Sequence, residues 1–226
     1  GSARGLVKED METGFGFPVA YVAAKEADVV LVAGARMGHP MGYAAPPFYG
    51  EDTRFIQIDI DGAEIGRNRY VEAPVVGDCG PALEGIAQAL ERRHNQPKDP
   101  SWVNKAMETR LAKLEDLARE TSGQVHPLHM ARELKERLPE DAIVIGDGAN
   151  CLNWIKAELT INSSIGWMDQ DPFGSMGVGV PMAIGAVAAE QESGSNRPVV
   201  VATGDGAFGQ YLGELATLSL HGLPML

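Results

Sequence analysis

The sequence predicts an α/β protein made of two parallel-sheet units, each with helices on both faces and each incomplete. Continuous apolar runs (Val29-Val30-Leu31-Val32, Ile143-Val144-Ile145, Val199-Val200-Val201) alternate with helical periodicities. That is the pattern of parallel strands covered on both sides. Strands also turn into the next element at a glycine, the place where open α/β sheets bind ligands. Glycine is 27 of 226 residues, above the usual ~7%, so backbone approaches something that a side chain would block.

In the first unit, residues 27–34 read as a buried strand ending in a glycine turn, and residues 54–60 as a second strand. A short helix is expected over 63–68. Residues 73–77 form a third strand, which Pro74 places at an edge or a strand start. Residues 81–93 are an amphipathic helix, with Leu83, Ile86 and Leu90 spaced by three and four. The polar stretch from His94 to Pro100 holds two prolines and reads as a linker. The expected division is 1–93, a linker at 94–101, and 102–226.

In the second unit, helices are expected over 102–119 and 127–138. A strand at 142–145 runs into Gly146-Asp147-Gly148-Ala149, followed by a helical segment to Glu158. A short strand is expected over 163–167 and a Gly/Ala-rich helix over 177–190. The strand at 198–203 runs into Gly204-Asp205-Gly206-Ala207, and one helix is expected over 208–220.

Composition narrows the function classes. Asp+Glu is 31 against 19 Lys+Arg, a net charge of −12. That argues against a sequence-independent nucleic-acid binder and against an anionic-membrane surface protein. No apolar run reaches the ~20 residues of a membrane span, and the start lacks the apolar stretch of a secretory signal. The expected location is cytoplasmic. Cys79 and Cys151 lack CxxC partners and read as free thiols. His126 and His129 fall at a helix start, where capping or surface roles fit better than metal binding.

Three glycine motifs carry chemistry. Gly204-Asp205-Gly206-Ala207-Phe208-Gly209 follows a strand and opens a helix, as a dinucleotide fingerprint does. Asp205 argues for a different ligand, because a carboxylate beside a bare diphosphate repels it. The sign reverses if a divalent cation stands between them, and Mg²⁺ is typically held by one or two carboxylates plus substrate phosphates. The N–H groups near Gly206 and Ala207 would then meet phosphate oxygens. The plainer alternative is a tight turn with Asp205 as a helix N-cap. Gly146-Asp147-Gly148-Ala149-Asn150 repeats the pattern, and spacing does not decide which copy does what. Gly174-Ser175-Met176-Gly177-Val178-Gly179 places three glycines in six residues ahead of a helix face with almost no side chain. Another helix or a flat ligand packs close to such a face.

Residues 173–186, 199–215 and 55–68 together resemble the thiamine diphosphate (ThDP) enzymes related to acetolactate synthase, oxalyl-CoA decarboxylase and benzaldehyde lyase. The resemblance implies that Asp205 ligates Mg²⁺ and that Gly204, Gly206 and Ala207 shape the backbone that holds the diphosphate. It implies that Met176 props the cofactor in a bent form, with Gly174 and Ser175 lining the same loop. Asn150 becomes a cofactor or substrate contact. Residues 1–93 resemble the C-terminal part of the family's central domain, and 102–226 the N-terminal part of its diphosphate-binding domain. In some members the central domain carries FAD or ADP, which makes Arg36 a possible phosphate partner and Asp59 a ribose partner.

The family's catalytic glutamate has no counterpart here, so no catalytic residue is assigned. The asparagine that closes the metal motif would fall beyond Leu226, and the chain reads as an internal piece expected to be inactive alone. The full-length protein is expected to be a ThDP- and Mg²⁺-dependent lyase or transferase that cleaves or forms C–C bonds next to a carbonyl. Its expected partners are a 2-keto acid, aldehyde or acyl-CoA substrate and further copies of itself, as a homodimer or homotetramer. The alternative is a non-catalytic α/β nucleotide-binding or scaffold module with a degenerate GDG turn. A Rossmann dehydrogenase fragment fits less well because of Asp205.

Overall fold

A computed structural model of the chain describes residues 3–11, 13–93, 99, 101–119, 123, 125–171 and 173–225. It divides into two compact units, Val19–Arg110 and Gly1–Pro18 with Leu111–Leu226. Each holds a three-stranded, all-parallel sheet. The expected linker falls mostly outside the described residues.

The unit Val19–Arg110 contains most of α1 (Phe17–Glu26), a helix that the sequence pattern did not signal. It continues through β1 (Val29–Ala33), a 3₁₀ turn (His39–Ala44), β2 (Arg54–Asp59), β3 (Ala73–Val76) and α2 (Cys79–Arg92). The strand order is β1-β2-β3, so Pro74 does sit on an edge strand. Val32, Met37, Ala44, Tyr49, Phe55 and Val71 form its core. Asp78 caps α2, its carboxylate accepting from Gly80 N at 2.8 Å. The helix expected over 63–68 is absent, and this segment is a run of turns. Fully buried Gln57 explains the difference. Its Oε1 accepts from Gly66 N at 2.9 Å and its Nε2 donates to Glu64 O at 3.3 Å. These bonds from the sheet take backbone groups that a helix would have used internally.

The second unit contains α3 from Leu111 onward (Ser101–Arg119 in full), α4 (Pro127–Arg137), β4 (Ile143–Asp147), α5 (Asn150–Glu158) and β5 (Trp167–Asp169). It ends with α6 (Gly179–Ser193), β6 (Val199–Thr203), α7 (Asp205–Gln210) and α8 (Glu214–His221). β4 is central, between β5 and β6. Alternate β4 residues point to opposite faces. Val144 joins Ala131, Leu152, Ile155 and Trp167, while Ile143 and Ile145 join Ala183, Ala186, Val187 and Val199. His126 caps α4, its Nδ1 accepting from Leu128 N at 3.1 Å.

Three expectations for this unit are corrected. The strand expected over 163–167 begins only at Trp167, because Gly166 N bonds back to Ser163 O at 2.9 Å in a turn. The Gly/Ala-rich helix starts at Gly179, since Gly177 has φ +86° and cannot be helical. The single helix over 208–220 is two helices. Tyr211 leaves helical geometry at φ −130°, ψ 35°, and a turn separates α7 from α8.

The N-terminal segment packs onto this second unit. Arg4 Nη2 donates to Leu159 O at 2.6 Å and pairs with Glu9. Glu9 Oε2 accepts from Ile161 N at 2.9 Å. Among the described residues, no helix is long and apolar enough to cross a membrane.

Candidate functional site

The three glycine motifs of the second unit meet at the C-terminal ends of β4 and β6. The register is Gly146↔Ala202 and Asp147↔Thr203, so Gly148 rather than Gly146 stands beside Gly204. A Cβ on Gly148 would lie 3.5 Å from Gly204 N and 3.7 Å from Ala207 Cβ. Its φ of +89° suits glycine. The two GDGA copies are therefore displaced by two residues relative to the sheet. Asp147 still belongs to the strand, whereas Asp205 opens the helix beyond it.

That displacement gives the two aspartates opposite environments. Asp147 is 1% exposed. Its Oδ1 accepts from Gly177 N at 3.0 Å and its Oδ2 from Gly179 N at 2.7 Å. Asp205 is exposed in the first turn of α7, and among the described residues no group bonds its carboxylate. It is not an N-cap; Gly204 holds that position without a side-chain bond. Apart from their own turn of helix, no atom of the described residues lies within 4 Å of where a Cβ on Gly206 or Gly209 would stand. Helix geometry leaves the first amides of α7 without intrahelical acceptors.

The loop from Gly174 to Gly177 lies against the end of α7. A Cβ on Gly177 would stand 2.5 Å from Tyr211 Cδ2 and 2.8 Å from Gln210 Oε1. Ser175 is exposed and Met176 is 47% exposed. Gly179 packs on the sheet, where a Cβ would meet Asp147 and Val201 at 2.9 Å. The close packing expected of the Gly/Ala stripe does not extend to Gly185, which has open space.

Asn150 is the exposed first residue of α5. Cys151, one residue on, had not been singled out for the site. Its Sγ donates to Asp147 O at 3.2 Å and faces Gly148 and Gly204. Burial pushes the Cys151 thiol above its ordinary value, and the nearby Asp147 charge adds to this. Gln170 was also missed; its Oε1 accepts from Gly148 N at 3.0 Å. Both contacts cross between elements, so no local pattern signals them.

The structure brings Gly174, Ser175, Met176, Gly204, Asp205, Gly206, Ala207 and Asn150 to one end of one sheet. An exposed carboxylate next to backbone bare of Cβ fits a metal-bridged diphosphate. Among the described residues no group of three or more His, Cys, Asp or Glu forms a metal cluster. A cation at Asp205 would take its remaining ligands from a bound phosphate, water or other segments.

Arg36 and Asp59 lie in the first unit, just after β1 and at the end of β2. Arg36 is largely exposed and faces Glu64 at 3.8 Å. Asp59 is buried, and its Oδ1 accepts from Asp61 N at 2.9 Å.

Two family models and several curated proteins are similar to this chain. The thiamine pyrophosphate enzyme central domain matches residues 2–86, and the C-terminal TPP binding domain matches residues 145–226. The 2-hydroxyacyl-CoA lyase 1 of Mus musculus is 28% identical over 208 residues, which cover 90% of this chain and 36% of the lyase. The acetolactate synthase large subunit of Parasynechococcus marenigrum is 29% identical over 210 residues, 93% of this chain and 33% of the synthase. Oxalyl-CoA decarboxylase of Escherichia coli K12 is 30% identical over 209 residues, 90% of this chain and 36% of the decarboxylase. The chain thus spans about a third of the length of these relatives.

Proposed function

Because the chain belongs to the thiamine pyrophosphate enzyme family, we propose that its second unit holds the diphosphate end of thiamine diphosphate through Mg²⁺. The full-length protein then cleaves or forms C–C bonds next to a carbonyl. The observation that carries this is the contrast between the aspartates. Asp147 is used up inside the fold, while Asp205 presents an open carboxylate beside a glycine backbone.

In this reading Asp205 is the Mg²⁺ ligand, and Gly204, Gly206 and Ala207 shape a backbone that donates to phosphate oxygens. Met176 is the apolar prop of the cofactor, carried on the loop of Gly174 and Ser175. Asn150 contacts cofactor or substrate. When bound, thiamine diphosphate supplies a carbanion for attack on a carbonyl and a sink for the electron pair left by C–C cleavage. The chain's own residues bind and orient it. No residue here is assigned as catalytic acid or base.

Residues 1–93 serve as the C-terminal part of a central domain, 94–101 as a linker, and 102–226 as the N-terminal part of the diphosphate-binding domain. The substrate class is a 2-keto acid, aldehyde or acyl-CoA, in line with the names of the relatives. The working form is a cytoplasmic homodimer or homotetramer. FAD or ADP in the central domain is a secondary proposal that rests on Arg36 and Asp59 at adjacent strand ends.

The test is Asp205→Ala in the full-length protein, with Mg²⁺ and thiamine diphosphate affinity measured by calorimetry. A large loss of both is expected. Unchanged affinity would overturn the assignment.

A further inference from the structure

We infer that Asp147 is a positioning residue for the cofactor loop, an inference that rests on the proposed cofactor site. One residue ties together the three glycine motifs. Its carboxylate holds Gly177 N and Gly179 N, and its carbonyl accepts from Gly204 N at 3.2 Å and from Cys151 Sγ. The loop that carries Met176 and the turn that leads to Asp205 are therefore fastened to the same point on β4.

The chemistry suits a carboxylate in particular. Two backbone N–H donors converge on two oxygens: Gly179 is the first residue of α6, a helix of 15 residues, and Gly177 stands two residues before it. Val178, the residue at the cap of α6, supplies no side-chain bond. Asp147 provides that bond from the neighbouring strand, with a negative charge at the positive end of the helix. The site is also shaped around this side chain, since any Cβ on Gly179 would approach Asp147 Cβ to 2.9 Å. An asparagine has nearly the same shape but only one acceptor. Its NH₂ group would face a second N–H and push it away.

Asp147 touches neither metal nor cofactor in this reading. Its side chain acts through the loop alone, and the turn hangs on its main-chain carbonyl, which Asp147→Asn keeps, so the substitution separates cofactor binding from Mg²⁺ dependence. The experiment compares Asp147→Asn, Asp205→Ala and wild type in the full-length protein. Calorimetry gives the thiamine diphosphate Kd, and a Mg²⁺ titration is run at saturating cofactor. Asp147→Asn is expected to weaken thiamine diphosphate binding by about tenfold to a hundredfold, the scale of one lost bond to a charged group. The Mg²⁺ titration midpoint is expected to stay at the wild-type value. A wild-type Kd in Asp147→Asn, with binding lost in Asp205→Ala, would overturn the role of Asp147 while leaving the cofactor site standing. Wild-type binding in both variants would overturn the site itself.

A further measurement needs no variant. Hydrogen–deuterium exchange on the cofactor-free wild type is expected to show slow exchange at Gly177 and Gly179. Exchange there as fast as in surface loops would overturn the inference even if Asp147→Asn failed to fold.

Discussion

Replacing Asp169 by alanine tests the packing under the site. Lys156 Nζ lies 2.8 Å from Asp169 Oδ2, and the two side chains are 7% and 0% exposed. Trp167 Nε1 donates to the same oxygen at 3.0 Å. Lys156 and Arg4 both lie over the Trp167 ring, at 5.7 Å and 4.9 Å from its centroid. Removing one partner of a buried ion pair costs about 3–5 kcal/mol, and the indole N–H loses its acceptor as well. Removing both charges, as Lys156→Met with Asp169→Leu, leaves no unpaired carboxylate or ammonium of this pair, while the indole N–H and the Asp171 N–H, which Asp169 Oδ1 accepts at 3.3 Å, lose their acceptor. An unsatisfied buried donor costs about 1–3 kcal/mol. The double variant is therefore expected to be more stable than Asp169→Ala. Urea unfolding of the full-length protein, followed by tryptophan fluorescence, reads this directly because Trp167 touches the pair. A double variant as destabilised as the single one would refute the reasoning. So would a cost for Asp169→Ala below about 1 kcal/mol, the level of a surface pair.

Four other outcomes follow from the same geometry. Burial pushes the Asp169 carboxyl up, but hydrogen bonds from Lys156 and Trp167 and the Lys156 charge outweigh it, leaving it below its ordinary 3.8. Its contribution to stability is thus present above pH 3.8 and lost as pH falls through the lowered value, which acid unfolding of wild type against Asp169→Asn measures. Glu190, paired with Arg197, is held down from 4.5 to about 2. Its stabilising effect therefore fades only as pH falls below 4.5 toward 2, and Glu190→Gln is expected to flatten the acid-unfolding curve over that range. Gly177→Ala, at φ +86° and against Tyr211, is expected to displace the loop and weaken thiamine diphosphate binding, read by calorimetry. Gly185→Ala, in open space within α6, is expected instead to stabilise by about 0.5–1 kcal/mol in a urea titration.

The parts of the fold legible in the sequence are those set by local pattern. The apolar runs give β1, β2, β4 and β6, and Pro74 marks β3 as an edge. What escaped depends on contacts between distant segments. Gln57 replaces an expected helix with turns by bonding Glu64 and Gly66 from the strand beneath. Tyr211 breaks one expected helix in two while its ring lies against Gly177. The candidate site was legible as three glycine motifs, but not the division of labour between its aspartates. The two GDGA copies look alike in sequence. Only the register of β4 on β6, which pairs Asp147 with Thr203 rather than aligning the motifs, turns one carboxylate inward and leaves the other exposed.

The most direct test of the central claim is calorimetric titration of thiamine diphosphate into the full-length protein, with Mg²⁺ and again with EDTA. Binding that requires Mg²⁺, with no comparable binding of NAD, is the predicted result. Binding of ADP or NAD by the second unit without any Mg²⁺ dependence, and no binding of thiamine diphosphate, would contradict the account and favour a nucleotide-binding module instead.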